Sequence, residues 1–392
     1  MPLFRRMAGR SSGKRDPKVE EALSVARQSV ASGNLEAAEQ AFLEALSLAK
    51  RARAFADAVT VLLELAEMQA RRNESEALNS LAACEDLARR HLSEQELANV
   101  LGKVASSLTR LTQREAAKAK YREAMEIALQ AGDCSSWAEK LCALYEMNRD
   151  EGRYSECYRI CREAVELCES RGEMSALITV TFPLIEMLRD IFEAPELARD
   201  HAKRLSLLIP LYGSEWDAVK LEYESARMQV KFGQLEAAEQ SLGRVAMASR
   251  YHGDSSLLLK ARLVLAEVCV HRQRVEALSE LLDYLGVQPE TPSFAQLQML
   301  RTRIALHQLR YREAVESIEQ VPKLTGWSEL ERAILLAVVE WRMGVADQAL
   351  AFLNYAEQVL EEIKTQVPVE FQTNLERKPE VLELRELKEV MR

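Results

Sequence analysis

The segment Gly33-Asn-Leu-Glu-Ala-Ala-Glu-Gln40 decides the fold, because it returns almost unchanged as Gly233-Gln-Leu-Glu-Ala-Ala-Glu-Gln240, 200 residues later. Looser copies of the same turn are Gly152-Arg-Tyr-Ser-Glu-Cys157 and Gly344-Val-Ala-Asp-Gln-Ala349. When all copies are aligned on the last small residue of the turn, their spacings run from 35 to 41 residues, and the aligned residues are Ala38, Ala77, Ala117, Cys157, Ala198, Ala238, Ala277, Ala314 and Ala349. A fixed period in this range is typical of a solenoid of helical repeats.

Each repeat is predicted to contain two helices around a short turn. In the first repeat, one helix is expected to end at Ala31 and the second to begin at Leu35, with Gly33 in the break between them. Apolar residues of the second helix recur at intervals of three and four, as on one face of a helix. Glycine can end the first helix at low conformational cost, because it readily adopts a left-handed backbone. An ordinary helical bundle has the same apolar rhythm, but it does not account for a fixed period across nine units.

The turn, Gly-x-(Leu/Tyr)-x-x-Ala followed by an aromatic or aliphatic residue and then Ala, resembles the tetratricopeptide repeat family. The resemblance covers residues 17–364, and the period near 40 residues is similar to a long-helix subgroup of that family. It implies an all-α, right-handed α-solenoid of about nine helix-turn-helix repeats. Residues 1–18 are predicted to be a disordered basic tail, residues 19–364 the repeat array, and residues 365–392 a C-terminal capping segment.

Composition excludes several classes of protein. There are 52 basic and 61 acidic residues, and the net charge of −9 argues against bulk attraction to nucleic acid or to an anionic membrane. We find no apolar run of the roughly 20 residues that a membrane span needs. The first residues lack the apolar stretch of a secretory signal, so a cytoplasmic location is expected.

No residue pattern indicates catalysis, a metal or a cofactor. The five histidines form no His-Glu-x-x-His motif, and no phosphate-binding or dinucleotide-binding loop is present. Cys157, Cys161 and Cys168 share one predicted helix, but the first two stand where other repeats place small or apolar core residues. Core packing therefore explains them better than a metal site. The chain is predicted not to be an enzyme.

The family resemblance implies that the first helix of each repeat lines a concave groove. The register then predicts partner-binding residues in the C-terminal half: Lys220, Tyr223, Arg227, Lys231, Arg262, Arg303, His307 and Trp341. Repeat four places mostly acidic residues there, among them Glu139, Glu146 and Asp150. We predict an acidic central groove followed by a basic half that suits an extended, acidic peptide. A mixed, solvated charged face remains the alternative for these residues.

The sequence thus predicts a non-catalytic scaffold or adaptor that binds a peptide or helix of a signalling or assembly partner. The alternative is a peptide- or ligand-sensing regulatory subunit of a bacterial signalling or transcriptional regulator. Residues 1–18 are too few for a DNA-binding unit, so that unit would be a separate subunit. Nucleic-acid binding ranks last because repeat four is acidic, and self-association stays open.

Overall fold

The computed structural model describes residues 17–272 and 292–391, and every element within these ranges is helical. The α-helices in chain order are α1 (Pro17–Ala31), α2 (Leu35–Arg51), α3 (Phe55–Gln69), α4 (Glu74–His91), α5 (Glu94–Arg110), α6 (Arg114–Gln130), α7 (Cys134–Asp150), α8 (Tyr154–Arg171), α9 (Met174–Glu186), α10 (Pro195–Tyr212), α11 (Glu215–Lys231), α12 (Leu235–His252), α13 (Ser255–His271), α14 (Pro292–His307), α15 (Tyr311–Glu319), α16 (Gly326–Met343), α17 (Ala346–Gln366), α18 (Val369–Gln372) and α19 (Pro379–Met391). A π-helical turn, Met187–Ile191, continues α9, and a 3₁₀ turn, Thr373–Arg377, precedes α19.

The turn inside each repeat lies at the predicted position, five residues before the aligned small residue. The backbone dihedral φ at this position is positive, between 49° and 83°, in seven repeats, at Gly33, Thr112, Gly152, Glu193, Gly233, Leu309 and Gly344. Glycine adopts this conformation without steric cost, whereas a residue with a Cβ is strained there. The turn geometry is therefore a property of the repeat and is kept even where glycine is missing.

The aligned small residues lie where the two helices of a repeat meet. None of the eight within the described ranges has any exposed surface: Ala38, Ala77, Ala117, Cys157, Ala198, Ala238, Ala314 and Ala349. Ala277 lies outside the described residues. A larger side chain at these positions would push the helices apart, since protein interiors are close-packed. The prediction of an all-α array of helix-turn-helix repeats is confirmed.

At both ends, the observed helices extend slightly beyond the predicted bounds of the repeat array. Helix α1 begins at Pro17, so the last two residues of the predicted tail, Pro17 and Lys18, are helical. The rest of that tail, residues 1–16, lies outside the described residues. Helix α17 ends at Gln366, two residues beyond the predicted end of the array.

The chain divides into two compact units, residues 1–147 and 148–392, and the division falls near the end of α7. In unit 1, apolar side chains such as Leu23 and Phe42 form a continuous core between successive helices. In unit 2, α19 packs against α16 and α17 and buries Val381 and Leu384. The last repeat of a solenoid needs such a cover for its apolar face. This packing supports the proposal that residues 365–392 cap the array.

Candidate functional site

The repeats of unit 2 curve until the fourth repeat meets the ninth. The backbone N–H of Trp327 donates a hydrogen bond to the Tyr154 hydroxyl over 3.1 Å, and the Thr325 hydroxyl donates to the carbonyl oxygen of Asp150. Gly326 lies close to the hydroxyl end of Tyr154: a Cβ at this glycine would stand 1.9 Å from the hydroxyl oxygen. These contacts join α8 to the start of α16, so the array in unit 2 closes on itself.

An aromatic cluster extends this closure to the segment after the ninth repeat. The ring of Phe371 is stacked on that of Phe192, with centroids 4.6 Å apart, and the Tyr158 ring meets both edge-on. The Ser155 hydroxyl donates a hydrogen bond of 2.8 Å to the carbonyl oxygen of Gln366. The chain leaving α17 is therefore held against the fourth and fifth repeats.

Lys378 attaches the start of α19 to the same surface. Its side chain is only 5% exposed, and its ammonium group donates a hydrogen bond of 2.8 Å to the carbonyl oxygen of Asp190. The same ammonium group lies 4.5 Å from the ring centroid of Trp327, a distance that allows a cation–π interaction. It also lies 3.5 Å from the carboxylate of Glu380. A buried lysine needs such partners, because an uncompensated charge in the interior is costly.

Ion pairs connect the first helices of the repeats in unit 2. The guanidinium of Arg189, 1% exposed, pairs with Asp190 at 2.6 Å and with Glu224, and Arg227 reaches Asp190 at 3.0 Å. Burial by itself raises the pKa of Asp190, but the charges of Arg189 and Arg227 outweigh it and hold that pKa well below its usual range. Burial raises the pKa of Glu224, and Arg189 opposes that effect only in part. We call the surface carrying Arg189, Asp190, Arg227, Lys231 and Arg303 the inner surface of unit 2.

The structure pairs four of the predicted partner-binding cations with carboxylates of the chain itself, one of them Lys220 with Asp217. Besides the Arg227 pair, Lys231 lies 2.8 Å from Glu193, and Arg303 lies 3.1 Å from Glu331. Arg303 also reaches the Glu383 carboxylate of α19 at 3.5 Å. The packing of successive repeats brings these cations within reach of acidic neighbours, and their role in partner binding stays a prediction.

The other predicted residues lie in different environments. Tyr223 is buried in the core with Ala226 and Ala238, and its role as a contact residue stays a prediction. Lys220 is partly exposed, with its ammonium group 3.3 Å from Asp217 and 5.8 Å from the Phe182 ring centroid. The remaining three are Arg262, half-buried on α13, His307, exposed at the end of α14, and Trp341, half-buried on α16.

Acidic residues of α19 are the part of the site that the sequence did not predict. Burial alone raises the pKa of Glu380, but the charges of Lys378, Lys231 and Arg303 outweigh it and lower that pKa. Glu380 and Glu383 are three positions apart and therefore share a helix face. The sequence shows this shared face, but only the folded chain shows that the face lies next to Arg303.

Two features of the described residues, the arrangement of possible metal ligands and the burial of the thiols, bear on the chemistry expected from the sequence. No group of three His, Cys, Asp or Glu side chains within them is arranged to hold a metal ion. Cys157 and Cys161 are fully buried, and burial raises the pKa of the Cys157 thiol to about 12, which disfavours the reactive thiolate. Within the same ranges, no helix is both long enough and apolar enough to span a bilayer.

Comparison with known proteins shows similarity at the level of the fold. No protein-family model matches the chain, and no curated protein sequence matches it. A Rap protein complexed with competence and sporulation factor aligns over 90% of this chain and 100% of its own, with 13% identity and a TM-score of 0.54. The apo form of RapI aligns over 67% of this chain and 98% of its own, with 11% identity and a TM-score of 0.50.

A tetratricopeptide repeat protein from Parabacteroides merdae covers 83% of this chain and 99% of its own at 16% identity, but its TM-score is 0.37. Identities this low establish architecture alone. The internal register, the paired helices and the Rap structures together show a tetratricopeptide-like α-solenoid.

Proposed function

We propose that this chain is a non-catalytic protein-interaction scaffold, and that the inner surface of unit 2 binds a segment of a partner protein. The observation that carries the proposal is that this surface already holds a segment, residues 366–391 of the chain itself. The attachment uses aromatic stacking at Phe371, capture of a backbone carbonyl by Lys378 and an ion pair at Arg303. These are the contacts by which proteins commonly recognise peptide segments.

The chemistry of the surface supports a partner segment that carries carboxylates. Lys231 and Arg303 both act on Glu380 of α19, and Arg303 also pairs with Glu383. A partly exposed cation, Lys220, and the half-buried Arg262 lie on neighbouring first helices. Charge pairs of this kind mainly set association rate and specificity, and they weaken as salt rises. We propose a cytoplasmic setting for this interaction.

The fold likeness to Rap proteins supports a second candidate, the regulatory subunit of a signalling system. The similar Rap protein is complexed with competence and sporulation factor, and the present chain spans that protein's entire length. In this alternative, the inner surface of unit 2 binds a signal molecule, and this binding changes the surface that a further protein recognises. Self-association is part of the same proposal.

Affinity capture from native lysate with quantitative mass spectrometry tests the proposal. The bait variant Lys220→Glu with Arg262→Glu changes two cations of the predicted groove on α11 and α13, while the ion pairs of Arg227 and Arg303 stay intact. Its matched control, Lys203→Glu with Arg250→Glu, makes the same net charge change on exposed positions of the second helices α10 and α12. Both variants first have to retain the wild-type helical content by circular dichroism.

We expect at least one protein to be captured by wild type and control and lost from the variant with Lys220→Glu and Arg262→Glu. Its capture should also decline as salt rises, because exposed charges are screened with a Debye length of about 8 Å at physiological ionic strength. Identical protein lists for the three folded baits would contradict binding at the inner surface. A catalytic turnover of any captured component by the purified chain would contradict the non-enzymatic assignment.

A further inference from the structure

We infer that α19 occupies the inner surface of unit 2 in place of a partner's segment, and that the segment it stands for is an acidic amphipathic helix. This inference rests on the proposed function, since it names the class of ligand for the same surface. It assigns α19 a second property beyond covering the last repeat: the helix competes with the ligand that the groove is built to receive.

The charges on the first two turns of α19 match the cations of the inner surface. Glu380 is stabilised as a carboxylate by Lys378, Lys231 and Arg303, and Glu383 lies 3.5 Å from Arg303. Burial raises the pKa of Glu331, the neighbour of Arg303 on α16, while Arg303 lowers it. Arg303 therefore meets a carboxylate of α19 directly, and Lys231 favours the charged form of Glu380 at longer range, so any replacement for α19 has to supply negative charge at the same places.

The apolar side of α19 defines the rest of the ligand. Val381, Leu384 and Met391 are buried against unit 2, whereas Leu382 and Val390 on the opposite side are exposed. Removing this helix alone would leave apolar surface of α16 and α17 in water, which is unfavourable. A ligand that replaces α19 must therefore cover that surface as well. An amphipathic helix with two carboxylates three residues apart supplies both the negative charge and the apolar cover. A purely acidic extended strand supplies only the negative charge.

The connection to α17 makes α19 a competitor whose effect is large but reversible. A helix joined by a short linker has an effective concentration in the millimolar range, so a free ligand has to compete with it. The apparent affinity of such a ligand falls in proportion to the fraction of molecules whose groove is open. Weakening the attachment of α19 is therefore expected to tighten ligand binding, the opposite of what loss of a structural contact would do.

The experiment uses the full-length chain and a labelled synthetic peptide of residues 379–391, with binding followed by fluorescence anisotropy. The test variant is Glu380→Lys with Glu383→Lys, which opposes the cations of the inner surface. The matched control is Glu386→Lys with Glu389→Lys, which has the same spacing and charge change on exposed positions of α19. A second peptide carries the Glu380→Lys and Glu383→Lys changes.

We expect the test variant to bind the natural peptide about tenfold tighter than wild type or the control variant does. The charge-changed peptide should bind none of the three proteins. Equal affinity of wild type and folded test variant, or equal binding of both peptides, would overturn the inference. Should the test variant lose its helical content, Glu383→Gln is the milder replacement, and a failure of that folded variant to bind more tightly overturns the inference equally.

Hydrogen exchange of the wild-type protein gives an independent reading. Saturating natural peptide should increase exchange in α19 and leave α12 unchanged, because only α19 is displaced. Exchange of α19 that stays the same while the peptide is bound overturns the inference, since the two then occupy different surfaces. A variant that dimerises by exchanging α19 between copies also overturns it, because the occupant is then a second copy of this chain.

The two proposals can fail separately. If lysate capture identifies a partner that depends on Lys220 and Arg262, but the peptide never binds, the scaffold function stands and the assignment of α19 falls. If the peptide binds as expected and no partner depends on those cations, the groove is specific for α19 and the scaffold proposal falls.

Discussion

Gly326 is restricted to glycine by two separate constraints. Its backbone dihedral φ is +57°, and a Cβ there would stand 1.9 Å from the Tyr154 hydroxyl. Gly344 shares the first constraint, with φ of +83°, but a Cβ there would meet nothing within 4 Å. The pair therefore separates the cost of a left-handed backbone from the cost of the contact that closes unit 2.

We predict that Gly326→Ala lowers the free energy of unfolding of unit 2 by about 2–4 kcal/mol, because backbone strain and overpacking add. The control Gly344→Ala should cost about 1 kcal/mol from backbone strain alone. Urea unfolding followed by circular dichroism measures both. Equal losses for the two variants would show that Tyr154 can move away without cost and that the closing contact is weak.

Asp190 is the second residue on which unit 2 depends, since it holds two guanidinium groups. We predict that Asp190→Asn lowers the free energy of unfolding at pH 7 by about 3 kcal/mol. The substitution leaves the guanidinium groups of Arg189 and Arg227 without this carboxylate in a poorly hydrated environment. As the control, Asp200→Asn removes the exposed partner of Lys203 and should cost less than about 1 kcal/mol.

The pH dependence of the Asp190 effect follows from the lowered pKa. A carboxyl group with a depressed folded-state pKa contributes stability that is present above its unfolded pKa, about 3.9, and is lost as pH falls through the folded value. The difference between wild type and Asp190→Asn should therefore be constant from pH 7 to about pH 4 and narrow at lower pH. A difference that already vanishes at pH 5 would contradict the lowered pKa.

At the scale of the helix pair, the aligned small residue sets the distance between helices. We predict that Ala38→Leu and Ala238→Leu each destabilise their own repeat by about 1–3 kcal/mol, because both alanines are fully buried. Ala351→Leu, at an exposed position on α17, is the control and should be nearly neutral. Hydrogen exchange localises the effect, and unchanged protection in α1–α2 and α11–α12 would refute the register of the repeats.

At the scale of single elements, some features of the fold follow from the sequence and others do not. Positions of turns and small residues follow from local rules, namely the glycine at the turn and the apolar period, so they were predictable. The π-helical turn at Met187–Ile191 was not, although the spacing of 41 residues between Cys157 and Ala198 exceeds the usual 40. An extra residue fits in a loop or in a helix, and only packing against neighbouring helices decides between them.

For unit 2 as a whole, the sequence predicted an array but not its closure. The curvature of a solenoid accumulates from a small rotation at each repeat, so contact between Tyr154 and Trp327 depends on angles that no single repeat encodes. Lys231 and Arg303 of the predicted groove lie beside carboxylates, and the groove prediction did not include this pairing. Their carboxylate partners, Glu193, Glu331 and Glu383, come from other helices and are visible only once the chain is folded.

The closing contact of unit 2 also restricts how this protein can change over evolutionary time. An open solenoid gains or loses a repeat at little structural cost, because each repeat contacts only its neighbours. Between Tyr154 and Trp327 that freedom is absent: a duplicated or deleted repeat would carry Trp327 past its hydrogen-bond acceptor by a full step of the array. The closing contact therefore fixes the number of repeats in unit 2. Descendants of this chain should vary there in side chains and loop lengths while that number stays the same.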